Sequence, residues 1–245
     1  MHDVKKNDSQ SKIKSLPIML FAGTMGLGGL CAAYKKLSEI FDLPSEIFSA
    51  LRALDCTVFC LLSAFYFFKL LKFKEEVKAE FLHPIKINFF GGFIISLFLL
   101  ALAYKDAPRL YYSLFYAALG LQTIFTLYVI SFWIDEKFDI AMLNPAWFIP
   151  VVGNLLIPII AEKSQAIWYY FSLGLFFWII LFAVIFYRLV FCDKLADKFV
   201  PTLVITLAPP AMAFLGYVKL TERFDAFAAI LLNINIFCRA YTFFV

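Results

Sequence analysis

The chain breaks into eight apolar runs, each close to the length that crosses a bilayer, and no polar stretch between them is long enough to fold alone. They lie at about 17–36, 46–70, 85–104, 109–133, 145–161, 165–190, 200–219 and 224–245. A spanning α-helix needs about 20 apolar residues to cover roughly 30 Å. In hydrocarbon every backbone N–H and C=O must be satisfied internally, so runs of this length read as helices. Composition agrees: of 245 residues, 63% are apolar and 16% charged, with a mean hydropathy of +0.84. Soluble domains are nearer 45–50% and about 25%. A soluble enzyme, a nucleic-acid-binding domain and a disordered chain are excluded. The expected fold is an all-α integral membrane protein. A basic tail over 1–16 precedes a single transmembrane domain over 17–245. Short connections make neighbouring helices antiparallel hairpins.

Charge placement sets the orientation. With the N-terminus cytoplasmic, fourteen of the 22 Lys and Arg residues fall on that side and eight on the other, which predicts a cytoplasmic N-terminus in the cell (inner) membrane. The tail and the 69–86 connection carry most of the difference.

Helix breakers are distributed unevenly. Eight of the ten glycines (Gly23, Gly26, Gly28, Gly29, Gly91, Gly92, Gly153 and Gly216) lie in spans one, three, five and seven. Pro150, Pro158, Pro209 and Pro210, the prolines deep inside spans, are also in odd spans. Proline frees a carbonyl and bends a helix, and glycine lets helices approach closely. Kinked segments belong inside an assembly or along a cavity. The pattern predicts kinked odd helices inside and even helices, carrying the aromatic and aliphatic bulk, outside. Small residues also serve simply as packing contacts, which is the alternative at any single position.

The interiors of the odd spans hold no ionisable side chain. A conduit walled by them is neutral, without the acidic rings of a cation pathway or the mid-membrane relay of a proton pump. Such a pore suits weakly hydrated anions, assisted by helix dipoles and freed backbone groups. Gly26, Gly28, Gly92, Pro150, Gly153, Asn154, Pro209 and Pro210 are the expected wall-shaping residues, with Phe21, Phe89 and Phe90 as constriction side chains. Arg52 and Asp55 enter span two three residues apart. Either they pair on one face and anchor a helix end, or Asp55 is a proton-coupling carboxylate.

Four stretches resemble one family. P-I-M-L-F-A-G-T-M-G-L-G-G-L (17–30) is similar to the Gly-rich first helix of the tellurite-resistance/dicarboxylate transporters, the TehA and plant slow anion channel type. K-E-E-V-K-A-E-F-L-H-P-I-K (74–86) resembles the loop entering its third helix, N-P-A-W-F-I-P-V-V-G-N (144–154) its fifth helix and I-T-L-A-P-P-A (205–211) its seventh. The resemblance implies ten helices in five hairpins, arranged with quasi-fivefold symmetry around a central pore, and a homotrimer. The implied partners are small anions, namely chloride or nitrate, with dicarboxylate or tellurite also within the family's range. The implied activity is passive anion conduction, with proton-coupled C4-dicarboxylate (malate-like) transport or a non-conducting fragment as alternatives. The last hairpin, which carries the family's pore-plugging phenylalanine, has no counterpart here, so a fragment is expected and no gate is carried over.

No cofactor, metal site, nucleic-acid partner or enzymatic constellation is expected. His2 and His83 are far apart, G-L-G-G at 26–29 lacks the strand of a dinucleotide site, and no phosphate-binding loop is present. The five cysteines read as small packing residues. N-D-S at 7–9 fits a glycosylation sequon in a tail expected to be cytoplasmic. The mixed charges of 72–80 suggest a solvated helix extension.

Overall fold

A computed structural model describes residues 13–244; most of the basic tail, His2 and the sequon at 7–9 lie outside them. Among the described residues there is no strand. Nine α-helices lie wholly within the described residues, in order α1 Phe21–Phe41, α2 Ser45–Lys72, α3 Lys74–Phe81, α4 Phe90–Ala103, α5 Pro108–Asp135, α6 Ile149–Ile160, α7 Gln165–Phe191, α8 Ala208–Thr221 and α9 Ala226–Phe244. Each of the eight expected apolar runs contains a helix among the described residues. The short helix α3 is the predicted extension, although Val77 and Glu80 turn inward from it.

The odd spans differ from the even ones in construction. Each enters its α-helix through a 3₁₀ segment: Ile18–Leu20 before α1, Lys86–Phe89 before α4, Pro145–Phe148 before α6 and Asp197–Leu207 before α8. Even spans α2, α5 and α7 are unbroken α-helices of 28, 28 and 27 residues. The prolines explain part of the difference. Pro150, Pro209 and Pro210 sit in the first turn of α6 or α8, where a missing N–H breaks no helical bond. Among the four prolines singled out in the sequence, only Pro158 is interior to its α-helix. The expected kinks thus take the form of 3₁₀-to-α junctions at the helix entries.

Six of the helices, with their 3₁₀ entries, are long and apolar enough to cross a membrane. Pro145–Ile160 and Ala226–Thr242 are shorter. A 3₁₀ turn rises about 2 Å per residue, so Pro145–Ile160 still extends about 26 Å. Two hairpins end in left-handed caps, Asp42 at φ 50° after α1 and Glu222 at φ 55° after α8. In each the cap N–H returns to the carbonyl four residues back.

The chain forms two compact units, dividing inside α5 after Leu114. In the first, α4 is the core: eleven of its fourteen residues are buried, and α1 and α2 pack on it. In the second, α6 is the core, with eleven of twelve residues buried and α7 and α8 packed against it. Helix α9 pairs with α8. Helix α7 contributes a single inward stripe at alternating spacings of four and three, Ile167, Phe171, Gly174, Trp178, Leu181, Ile185 and Arg188. The even helices turn Leu61, Phe67, Ile124, Phe176 and Phe186 outward, an apolar coat that lipid solvates. Span one is less enclosed than expected of an inner helix. It buries Phe21, Thr24, Gly28 and Cys31 toward its unit and leaves Gly23, Gly26 and Leu30 exposed.

Candidate functional site

In the first unit Gly28 and Gly92 sit at close approaches. A Cβ on Gly28 would stand 2.8 Å from the Leu99 Cβ and 3.1 Å from Asp55 Oδ2. One on Gly92 would meet the Met25 sulfur at 3.4 Å. Gly26, in contrast, faces open space. The α1–α4 contact holds a hydroxyl pair: Thr24 Oγ1 lies 2.7 Å from Ser96 Oγ, and the two hydroxyls bond the Phe21 and Gly92 carbonyls at 2.9 and 2.8 Å.

Phe21 is 2% exposed and packs edge-on against Phe59, Tyr66 and Phe93. Phe90 packs edge-on against Tyr66 and Phe81, and Phe89 is buried. Phe21 and Phe90 thus form part of an aromatic core at the entries of α1 and α4.

Arg52 and Asp55 do not pair. The guanidinium carbon lies 4.9 Å from the Tyr104 ring centroid and 5.3 Å from that of Phe48. Asp55 turns inward toward Gly28, is 1% exposed, and its Oδ1 has no hydrogen-bond partner. Three-residue spacing allowed a pair, but cation–π contacts with two rings hold the arginine elsewhere.

A buried ion pair lies lower on α2. Lys69 Nζ donates to Glu80 Oε2 at 2.9 Å and to the Leu16 carbonyl at 2.7 Å, and the Tyr66 hydroxyl donates to the same carboxylate oxygen at 2.8 Å. His83 Nδ1 accepts the Ile85 N–H at 3.1 Å, which makes it a turn cap ahead of the α4 entry.

The second unit is organised by neutral amides. Gln122 on α5 donates to the Pro150 carbonyl at 2.7 Å and to the Thr126 hydroxyl at 2.9 Å. Asn154, one turn along α6, donates to Thr126 Oγ1 at 3.0 Å. Gly153 makes room for this network, since a Cβ there would overlap the Gln122 amide. Gln122 Oε1 and Asn154 Oδ1 are buried acceptors without partners. Further up, Gly174 admits Leu155 of α6, and Gly216 admits Pro158. Lys219 of α8 donates to the Ile159 and Ala161 carbonyls, both at 2.7 Å, at the end of α6. Pro209 and Pro210 are buried at the α8 entry, where the Asn235 amide donates to the Leu207 carbonyl at 2.9 Å.

Each unit therefore carries its expected wall residues at two 3₁₀-to-α entries and the turns beyond them, those of α1 and α4 in the first unit and of α6 and α8 in the second. Thr24, Ser96, Gln122 and Thr126 were not singled out in the sequence, although Gln122 is the one amide side chain in span four. The five cysteines are free.

The family described as voltage-dependent anion channel, SLAC1, matches residues 15–245. The S-type anion channel SLAH2 of Arabidopsis thaliana is 25% identical over 93% of this chain and 47% of its own length. SLAH1 of the same plant is 30% identical over 80% of this chain and 53% of its own. A tellurite resistance protein TehA homolog of Haemophilus influenzae is 27% identical over 88% of this chain and 68% of its own. The chain spans about half the length of these plant relatives. With the match covering all eight spans, the chain belongs to the SLAC1 voltage-dependent anion channel family.

Proposed function

We propose that the chain acts in passive movement of small inorganic anions, chloride or nitrate, through a neutral conduit of the TehA type. The observation that carries this reading is the chemistry of the two core helices. Neither α4 nor α6 holds an ionisable residue, and each carries buried hydroxyl or amide groups at its entry turns. A neutral wall with backbone and amide dipoles can replace part of a weakly hydrated anion's shell without trapping it. Gly26, Gly28, Gly92, Pro150, Gly153, Asn154, Pro209 and Pro210 would shape that wall, and Phe21, Phe89 and Phe90 would narrow it. The working unit would be a homotrimer, each copy a single transmembrane domain in the cell membrane with its N-terminus cytoplasmic.

The test is the reversal potential in a planar bilayer under a chloride or nitrate gradient at fixed pH. A potential that follows the anion supports the reading; a potential that follows the cation overturns it. Asp55 favours a second reading, proton-coupled dicarboxylate uptake, because it is buried and unpaired. That reading requires pH-dependent malate uptake that Asp55→Asn abolishes; uptake that ignores both pH and the substitution sinks it.

A further inference from the structure

Arg188 closes the inward stripe of α7. It follows Trp178, Leu181 and Ile185 at helical spacing, and it is 5% exposed. A guanidinium on this face cannot snorkel along the lipid side of the helix as a terminal arginine usually does. No carboxylate lies within ion-pair distance of it among the described residues, and its Nε is buried without an acceptor. The nearest acids in sequence, Asp193 and Asp197, are exposed. The other buried cation on a spanning helix, Lys69, has both a carboxylate and a carbonyl. A buried charge without a counterion is costly enough that proteins supply one.

The core that Arg188 borders has an excess of donors. The indole N–H groups of Trp147 and Trp178 are also buried without acceptors, and both rings belong to the same cluster as Ile185 and Leu181. Trp133 stacks on Trp147 with centroids 4.9 Å apart and is a third indole without an acceptor.

We propose that Arg188 is an anion-binding residue, its guanidinium holding one chloride or nitrate ion at the α7 end of the second unit's core. The choice of ligand rests on the anion-conducting reading above, whereas the site itself rests on the unpaired cation. Held on helix α7, the ion would be concentrated beside the conduit before it loses its remaining water.

The experiment is intrinsic tryptophan fluorescence of the 245-residue chain in an uncharged maltoside detergent, titrated with iodide as the quenching anion. A saturable component that chloride displaces is expected in the wild type, lost by at least tenfold in Arg188→Gln and retained in Lys194→Gln, which removes an exposed cation from the same end. If Arg188→Gln does not fold, Arg188→Lys reads the same site, with at least threefold weaker binding expected. Purely linear quenching in the wild type, or unchanged affinity in the Arg188 variant, overturns the proposal. So does a saturable component that ignores chloride and yields only to added phosphatidylglycerol, which would assign the cation to a lipid phosphate. Binding is read without any current, so a silent bilayer experiment would count against conduction and leave this result standing.

Discussion

The two units solve the same packing problem with different polar chemistry. Each surrounds one almost wholly buried apolar helix, α4 or α6, and each uses glycine to bring a neighbour close. The first unit buries an ion pair, Lys69–Glu80, and a carboxyl group, Asp55. The second fills its centre with neutral Gln122, Thr126 and Asn154, keeping a lone cation at its edge. Amides and hydroxyls can be placed deep at modest cost, while charge demands a partner or a place near a helix end.

The contrast can be broken by substitution. Glu80→Ala leaves Lys69 buried and unpaired and is expected to cost about 3–5 kcal/mol, read as thermal unfolding in detergent. A double variant, Lys69→Met with Glu80→Leu, should recover most of the loss. Gly28→Ala and Gly174→Ala each drive a Cβ into a packed neighbour, and about 1–3 kcal/mol is expected from such overpacking. The control is Gly26→Ala, which meets nothing and should gain about 0.5–1 kcal/mol from the helix alone. Equal effects at Gly26 and Gly28 would show that the close approaches are not what these glycines serve. Gln122→Ala removes two hydrogen bonds from the neutral network and should cost about 1 kcal/mol, well below Glu80→Ala.

The smallest effect lies at the α8–α9 turn. Glu222 is held below the usual carboxylate range by its hydrogen bond and charge contact with Lys163. Because the folded pKa is the lower one, the contribution is complete above the ordinary carboxylate value and lost as pH falls through the folded value. The acid side of the stability profile should therefore flatten slightly in Glu222→Gln, and salt should erase the difference.

Much of this was legible in the chain. The runs of apolar residues placed eight helical segments within a few residues, six of them long and apolar enough to span, because length and hydropathy are what a bilayer selects. The clustering of Gly and Pro marked α1, α4, α6 and α8 as different from their neighbours; three of the four family motifs fell on α1, α6 and α8 or their entries, and the fourth covers α3 and the turn that leads toward α4. Sequence did not distinguish a proline that kinks a helix from one that starts it, since Pro150 and Pro158 read alike until the α6 boundary is known. Nor could spacing decide between Asp55 and two aromatic rings as partners for Arg52. Asp55 and Arg188 were visible as letters, but their isolation depends on which helix face turns inward.

The 3₁₀ entry to α8 has a mechanical side. Runs of this kind beyond three or four residues are uncommon, yet Asp197–Leu207 continues for eleven, with Thr202 and Thr206 hydroxyls tied back to the carbonyls three residues earlier. Eleven residues rise about 22 Å as a 3₁₀ helix and about 16 Å as an α-helix. The segment therefore stores roughly one α-turn of slack, and rewinding it would draw α8 along its own axis and rotate it like a screw.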